Sequence, residues 1–298
     1  MRESAFHEHV RARSAGTPGV VVGPGDDCAV LDTGAPELQL ITTDQLIAGR
    51  HYDPATTPVE LIARKALARS VSDIAAMCGR PVASVCTASF AGDDSGMATE
   101  LFDAMAALGE RWGAPLVGGD FASGSATQFT TTVIGAVQRE TPGPILRGGA
   151  KIGDAVWVTG SIGNSYESGH HLHFTPRFAE GLELRDRLGE ALHAAIDISD
   201  GLGRDAGRIA RMSGVRIAID ADRVPLRDPS RPVERSIADG EDYELLFVTT
   251  GEAQLPPTLE GGTTLTRIGT VVEGEGAVLR FANGRSINAS ESGWDHGG

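Results

Sequence analysis

The feature that most constrains the fold is a Pro- and Gly-rich stretch near the middle of the chain, at 139–154, which lies between two apolar, strand-like segments. Because such stretches are typical of exposed connections between domains, we predict a boundary here, with domains at 1–140 and 150–298. The length of 298 residues agrees with this division, since a single hydrophobic core stops growing near about 250–300 residues.

Both predicted domains alternate between strand and helix patterns. Strands are predicted at 38–43, 82–90 and 129–137 before the boundary, and at 155–159, 215–219, 244–249 and 278–281 after it. Helices are predicted at 57–77, 95–112 and 201–213, the first with a capping box formed by Thr57 and Glu60 around Pro58. The pattern predicts an α/β (α+β) fold in two domains, the second an α/β sandwich.

The charge of the chain limits its partners. The 40 acidic and 26 basic residues leave a formal charge of −14, whereas nucleic acids and anionic membranes select clustered Lys and Arg. We therefore expect neither partner. The absence of an apolar run of about 20 residues, and of a signal-peptide h-region in the first residues, predicts a cytoplasmic protein. The three cysteines, without C-x-x-C spacing, favour a reducing compartment.

Aspartates recur where predicted strands or helices meet turns. The five segments are Gly25-Asp26-Asp27, Thr42-Thr43-Asp44, Ser72-Asp73, Gly118-Gly119-Asp120 and Asp197-Ile198-Ser199-Asp200-Gly201. Any one of them is usually only a turn former. If they converge, their carboxylates repel one another unless a divalent cation neutralises them, and oxygen ligands favour Mg²⁺ or Ca²⁺ over Zn²⁺. Because Mg²⁺ commonly bridges carboxylates to phosphates, the pattern suggests a nucleotide site.

Other motifs indicate less. The segment GPGDDC at 23–28 has two glycines of a dinucleotide fingerprint, but a cysteine replaces the third. The segment GAK at 149–151 is no Walker A loop, because Ile152 follows the lysine. Three histidines lack a nearby Cys or a second His pair, so we expect a solvated loop rather than a zinc site at His170, His171 and His173.

Eight segments, in chain order, closely resemble the thiamine-monophosphate kinase family. They are GPGDDCAVL (23–31), ITTDQLIAGRHY (41–52), ARKALARSVSDIAAMCGRP (63–81), LVGGDFASG (116–124), ILRGGAKIGDAVWVTG (145–160), AIDISDGLGRDAGRIARMSGV (195–215), GEDYELLF (240–247) and GWDH (293–296). The family belongs to an ATP-binding superfamily that includes aminoimidazole ribonucleotide synthetase and selenophosphate synthetase. The resemblance covers nearly the whole chain.

The resemblance implies an aminoimidazole ribonucleotide synthetase-like fold, whose N-terminal sheet pairs with that of a second copy and whose C-terminal domain closes over the nucleotide. It also implies a homodimer that uses ATP and Mg²⁺ to phosphorylate thiamine monophosphate. By position, it implies metal ligation by Asp27, Thr42, Asp44, Asp73, Asp120, Asp197 and Asp200. It implies nucleotide contacts by Thr43, Gly119, Asp120, Arg147 and Ser199, and substrate contacts by His51, Glu241 and Trp294.

Elementary chemistry fits this assignment. The acceptor is a phosphate monoester that is already largely ionised, so the reaction needs positioning and charge neutralisation rather than a general base. Without the resemblance, His51 would read as an ordinary surface or core histidine and Trp294 as a residue that attaches the tail to the core. With it, the indole could stack on a cationic thiazolium.

Several positions depart from the family pattern. Ser70 replaces an Asn, Thr42 replaces a Ser, and Asp239 replaces a Gly and adds a carboxylate beside the expected substrate site. The stretch after Asn164 is shorter than usual, and we expect the shortening to touch no assigned ligand. Two alternatives stay open: another ATP-using synthetase of the superfamily, and a non-catalytic nucleotide-binding paralogue.

Overall fold

A computed structural model of the protein describes residues 9–13, 16–92 and 94–294. It contains two β-sheets with helices packed on them, which confirms the α/β (α+β) class. The six-stranded sheet is built from residues before the 139–154 stretch, and the seven-stranded sheet from residues after it.

The first sheet combines short and long strands in the order β1-β2-β3-β6-β4-β5. The strands are β1 (Val20–Val22), β2 (Ala29–Leu31), β3 (Glu37–Ile47), β4 (Arg80–Ala91), β5 (Leu116–Gly124) and β6 (Gln128–Gln138). All neighbours are antiparallel except β4 and β5. Helices α1 (Val59–Ala76) and α2 (Ala98–Trp112) pack on one face, here called the inner face. The opposite, outer face carries no helix from the described residues.

The second sheet has the order β13-β12-β9-β11-β7-β10-β8. Its strands are β7 (Ala155–Thr159), β8 (Leu192–Asp197), β9 (Arg216–Asp220), β10 (Leu245–Thr249), β11 (Leu265–Val272), β12 (Gly276–Arg280) and β13 (Ser286–Asn288). Its helices are α3 (His170–His173), α4 (Phe178–Leu188), α5 (Leu202–Ser213) and α6 (Val233–Ser236). Helix α5 covers one face, while α4 and the end of α1 cover the other, as expected of a sandwich.

Helix α1 joins the two halves. Leu67 and Val71 belong to the core of the first sheet, whereas Ala75 packs in a cluster with Phe247 of the second. The close contact with α4 depends on a missing side chain, because a Cβ at Gly181 would lie 2.6 Å from the carbonyl oxygen of Ala75. Small residues thus allow α1 to be buried on nearly all sides.

Several details differ from the sequence prediction, among them a helix cap and an edge strand. The capping box at the start of α1 is absent: Pro58 is the N-cap, and no side chain caps the helix. Thr57 instead belongs to a turn, where its N–H donates to the carbonyl of Asp53 at 3.0 Å. Strand β5 was not predicted, because its Gly-rich, exposed sequence lacks the usual strand pattern.

Candidate active site

A cleft of about 1390 Å³ lies between the two halves. Most residues expected from the sequence to form a site line it. They are Asp27, Thr42, Thr43, Asp44, His51, Asp73, Arg147, Asp197, Ser199, Asp200, Glu241 and Trp294. The cleft therefore brings together side chains from distant parts of the chain.

Three carboxylates meet at the centre of the cleft. Asp27 precedes β2, Asp73 lies on α1 and Asp197 ends β8, and each offers an oxygen within 4.8 Å of the others. We call these three residues the acidic centre. The Oδ2 atom of Asp27 is buried and has no hydrogen-bond partner. A buried carboxylate oxygen that accepts no hydrogen bond is expected to bind a cation.

The electrostatics of the acidic centre also favour a cation. Burial raises the pKa of Asp73 well above its usual value, and repulsion from Asp44 and Asp197 adds to the effect. Burial and repulsion from Asp27 likewise raise the pKa of Asp197. Because these oxygen ligands suit a hard divalent ion, the residues fit Mg²⁺.

Hydroxyl groups and one guanidinium hold the three carboxylates in place. Ser72 donates a 2.6 Å hydrogen bond to Asp197, and Thr42 donates to Asp73. Arg147 donates from Nη2 to Asp27 Oδ1 at 2.6 Å. These hydrogen bonds leave an excess of negative charge, since they supply one arginine for three carboxylates.

Next to the acidic centre, Asp44 contacts two residues of α1. Arg69 Nη2 lies 3.3 Å from its Oδ1, and the Ser70 hydroxyl donates to its Oδ2 at 3.3 Å. Ser70 also donates to the carbonyl of Thr131 at 2.9 Å. Although Ser70 departs from the family pattern, it therefore still makes a polar contact with a predicted metal ligand.

The loop before α5 is positioned by that helix. Asp205 accepts hydrogen bonds from the backbone N–H groups of Ser199 and Asp200, each at 3.1 Å. Arg208 bridges Asp205 at 2.5 Å and Asp200. Gly201, at φ +116°, allows the chain to turn where a Cβ would meet the Asp239 carbonyl oxygen at 3.0 Å. This arrangement presents the loop to the cleft.

At the other end of the cleft, a buried lysine connects the predicted substrate residues. Lys65 Nζ lies 2.6 Å from the His51 carbonyl oxygen, 2.8 Å from Glu241 Oε2 and 2.8 Å from His171 Nδ1. Lys65 is fully buried and His171 nearly so. We call Lys65, His171 and Glu241 the compensated cluster, because its cation and anion balance.

Charge states in this region follow from burial and partners. Burial opposes ionisation of Glu241, but His171 and Lys65 lower its pKa to about 2. Burial lowers the pKa of Lys65 to about 8, despite the attraction of Glu241. Burial, with repulsion from Arg69, lowers the pKa of His51 to about 3. His51 is therefore neutral near pH 7, with its Nδ1 accepting the Ile47 N–H at 2.8 Å.

Trp294 lies at the cleft rather than in the core. Its side chain is 54% exposed, its backbone N–H donates to the Asp200 carbonyl at 2.9 Å, and the Arg50 guanidinium lies 5.5 Å from its ring centroid. The reading as a residue attached to the core by its side chain is therefore wrong. The rest of the GWDH segment, 295–296, lies outside the described residues.

Two predicted residues do not line the cleft. Gly119 lies on β5 in the row Asp44, Thr131, Cys86, Gly119, three strand spacings from Asp44, which is about 14 Å. Its neighbour Asp120 is exposed and points to the opposite, outer face. Their roles stay predictions.

The histidine-rich segment differs from expectation. It forms α3 instead of a solvated loop, and His171 is buried. Within the described residues, none of its three histidines belongs to a group that could hold a metal ion. The stretch after Asn164 was expected to leave the assigned ligands untouched, but His171 contacts Glu241 at 3.4 Å. A residue of this stretch therefore lies against a predicted substrate residue, although none of the assigned residues belongs to the stretch itself.

Asp239 does not face the site as a lone carboxylate. It accepts the Asn164 N–H at 2.7 Å and pairs with Arg231 at 3.0 Å. Its charge is thus partly balanced by a loop contact. This departure from the family pattern fixes a loop of this chain.

Sequence reasoning missed several basic residues of the cleft. The lining includes Arg11, Arg50, Arg69, Arg204 and Arg208. One signal was available, because positions 65, 69 and 73 are spaced by four and therefore share one face of a helix. That spacing would have placed Lys65 and Arg69 beside Asp73.

Comparisons with known proteins identify the family of this chain. The family models described as AIR synthase related protein, N-terminal domain, and AIR synthase related protein, C-terminal domain, match residues 25–137 and 151–281. A thiamine-monophosphate kinase of Rhodopirellula baltica is 30% identical over 99% of this chain and 97% of its own. The chain belongs to the thiamine-monophosphate kinase family of AIR synthase related proteins.

Other members of the family are similar over most of their length. The thiamine-monophosphate kinase of Escherichia coli K12 is 30% identical over 93% of this chain and 92% of its own. The structure described as AaThiL complexed with AMPPCP and TMP has a TM-score of 0.83 and 25% identity, over 99% of this chain and 97% of its own. The thiamine-monophosphate kinase of Stenotrophomonas maltophilia has a TM-score of 0.71 and 29% identity, over 93% and 96%. Among the described residues, no helix is long and apolar enough to cross a membrane.

Proposed function

We propose that this protein transfers the terminal phosphoryl group of ATP to the phosphate of thiamine monophosphate, giving thiamine diphosphate. The observation that carries the proposal is the acidic centre, three converging carboxylates in a cleft between the two halves. A family member of similar fold is described with AMPPCP and TMP bound, and curated relatives are kinases of this substrate.

In this proposal Asp27, Asp73 and Asp197 hold Mg²⁺, and Thr42, Asp44 and Asp200 add oxygen ligands. Bound Mg²⁺ would neutralise the charge between two phosphate groups that otherwise repel each other. The chain itself has to hold the two phosphates in line. Its cleft-lining arginines supply donors suited to phosphate oxygens.

The nucleotide is assigned to the side of the cleft formed by Thr43, Arg147 and Ser199. Arg147 keeps its charge, since Asp27 and Asp26 raise its pKa although burial opposes this. Its backbone N–H lies 3.2 Å from both carboxylate oxygens of Asp26. Arg147 is thus a fixed cation at the wall of the cleft.

The acceptor is assigned to the end of the cleft formed by His51, Glu241 and Trp294. His51 accepts a hydrogen bond at Nδ1, so its neutral ring carries a proton at Nε2 and can donate it in a hydrogen bond. Glu241 is an anion that attracts the thiazolium cation, and the Trp294 indole can stack on it. No general base is required, because the attacking phosphate oxygen is already ionised.

The departures do not favour the non-catalytic alternative. Ser70 retains a hydrogen bond to Asp44, and Asp239 is paired with Arg231. The acidic centre is complete. We therefore rank an active kinase first.

The proposal includes a homodimer formed through the β5 edge of the first sheet. Strand β5 is an edge strand, and its Val117 and Phe121 are 65% and 63% exposed. Exposed edges with apolar side chains favour pairing with another chain. Gly119 and Asp120, which lie on this strand, are then placed at the interface.

The proposal keeps the predicted domains at 1–140 and 150–298. It also keeps a cytoplasmic location, which suits three free, buried cysteines.

The proposal is tested by incubating purified protein with MgATP and thiamine monophosphate and measuring thiamine diphosphate by chromatography. We expect formation of the diphosphate with one ADP released per product. If the protein binds ATP but forms no thiamine diphosphate, the proposed function is wrong. Omitting Mg²⁺ should abolish the product, and sedimentation of Phe121→Asp should show a shift from dimer to monomer.

A further inference from the structure

The loop after β7 brings an aromatic side chain to the cleft. Tyr166 lines the cleft with a side chain that is 55% exposed. An aromatic side chain of this size is normally buried in the core or covered by a partner. The ring belongs to the shortened stretch after Asn164.

The loop that carries Tyr166 is held firmly. Asp242 is fully buried and accepts the Gly163 N–H at 3.0 Å and the Ser165 hydroxyl at 2.5 Å. Arg227 donates to Asp242 at 2.6 Å and also to the Gly163 carbonyl oxygen. Gly163 and Ser165, which precede Tyr166, are therefore fixed, so the fold determines the point from which the ring projects.

The orientation of the ring is determined as well. Tyr166 stacks on the imidazole of His171, with centroids 4.4 Å apart and planes at 19°. His171 is buried, and its Nδ1 lies 2.8 Å from Lys65 Nζ and 3.4 Å from Glu241 Oε2. The compensated cluster thus holds the imidazole, and the imidazole holds the phenol ring.

The result is an exposed aromatic face connected, through one buried ring, to a carboxylate anion in the same cleft. This exposed face suits a planar cationic ring, which gains from the aromatic quadrupole. We propose that Tyr166 is a substrate-contacting residue that selects the cationic heteroaromatic part of the acceptor, with His171 as its positioning residue. The inference rests on the proposed function, which supplies an acceptor of this chemistry.

The contact is remote from the transferred phosphoryl group. It therefore contributes equally to the ground state and the transition state, and its loss raises KM without lowering kcat. A residue that acts on the chemical step would lower kcat instead. A residue that only stabilises the fold would reduce the amount of active enzyme and leave KM unchanged.

The experiment compares Tyr166→Ala and Tyr166→Phe with the wild-type protein. For Tyr166→Ala we expect KM for thiamine monophosphate to rise about tenfold, with kcat within about twofold and KM for ATP unchanged. Tyr166→Phe keeps the aromatic face and should behave as the wild type. Ile152→Ala, which removes another exposed apolar side chain outside the cleft lining, is the matched control and should change neither constant.

Two further measurements separate the possible failures. Calorimetry with thiamine, which lacks the phosphate, should show weaker binding to Tyr166→Ala in the same proportion as thiamine monophosphate. His171→Asn, which keeps a polar group beside Lys65 but removes the stacked ring, should raise KM of the folded enzyme about threefold. A wild type that binds these ligands but does not turn over refutes the proposed function only. An active wild type whose KM and thiamine affinity are unaltered by Tyr166→Ala refutes this inference.

Discussion

The acidic centre and the compensated cluster lie in the same cleft and differ in how their charges are balanced. Asp27, Asp73 and Asp197 converge, with an unpaired carboxylate oxygen on Asp27 and raised pKa values at Asp73 and Asp197. In the compensated cluster, Lys65 and Glu241 lie 2.8 Å apart and the pKa of Glu241 is lowered to about 2.

The difference distinguishes a site for an external cation from a structural ion pair. Buried like charges cost free energy that protonation or a bound cation must offset, whereas an ion pair offsets most of its own cost. In the proposed function, the protein keeps the first arrangement because its chemistry uses the cation. It keeps the second because Lys65 fixes two groups at the acceptor end of the cleft.

The largest effect is expected at the acidic centre. Asp73→Asn removes one anionic ligand, so kcat should fall about a thousandfold or more, or about 4 kcal/mol in the barrier. The free energy of unfolding without metal should not decrease, because repulsion is relieved. Steady-state kinetics and denaturant unfolding of the same preparation check both. Unaltered turnover would show that Asp73 is not a ligand of the metal.

The compensated cluster should respond in the opposite sense. Lys65→Met leaves the partly buried Glu241 without its cation, so the free energy of unfolding should fall by about 2 kcal/mol. The double variant with Glu241→Gln should regain part of that loss. Denaturant unfolding of the single and double variants measures the coupling. Strictly additive losses would show that the two side chains do not compensate each other.

Metal should stabilise the protein through the acidic centre. At a Mg²⁺ concentration a hundredfold above Kd, the free energy of unfolding should rise by about 2.7 kcal/mol. Asp73→Asn should lose most of this gain, whereas Lys65→Met should retain it. Thermal unfolding with and without Mg²⁺ makes the comparison. Equal stabilisation of all three proteins would place the ion elsewhere.

The pH dependence of the metal-free protein gives a smaller test. The folded-state pKa of Asp73 is raised above the ordinary 3.8, so the native state binds more protons than the unfolded state above that pH. The stability contributed by the protonated form is present below 3.8 and is lost as pH rises through the folded pKa. The stability of the wild type relative to Asp73→Asn should therefore decrease as the pH rises above 3.8. Denaturant unfolding in a chelator measures it, and an unchanged or increasing difference would contradict the raised pKa.

Much of the architecture could be predicted from local patterns. The strands near 82–90 and 129–137 and the helix near 201–213 agree with β4, β6 and α5, because their periodicity is independent of distant residues. Strand β5 escaped prediction because pairing with β4, rather than its own side chains, makes it a strand. The predicted cap at Thr57 was wrong because the N–H of this residue is hydrogen-bonded in the turn that precedes the helix.

The site shows the same division. The aspartates could be found from their positions beside Gly-rich turns, and the family resemblance named them. Their convergence within 4.8 Å depends on α1 lying between the two halves. Neither the burial of His171 nor the exposure of Tyr166 has a local signal, because both depend on contacts between α1, the loop after β7 and Glu241.

The sequence by itself therefore determined the class of chemistry: oxygen ligands for a hard cation, a fold of two α/β halves and an acceptor that needs no base. The tertiary structure alone decided which charges are balanced and which are not. The physical reason is that ligand type belongs to each side chain, whereas charge balance depends on distances between residues far apart in the chain, which only packing determines.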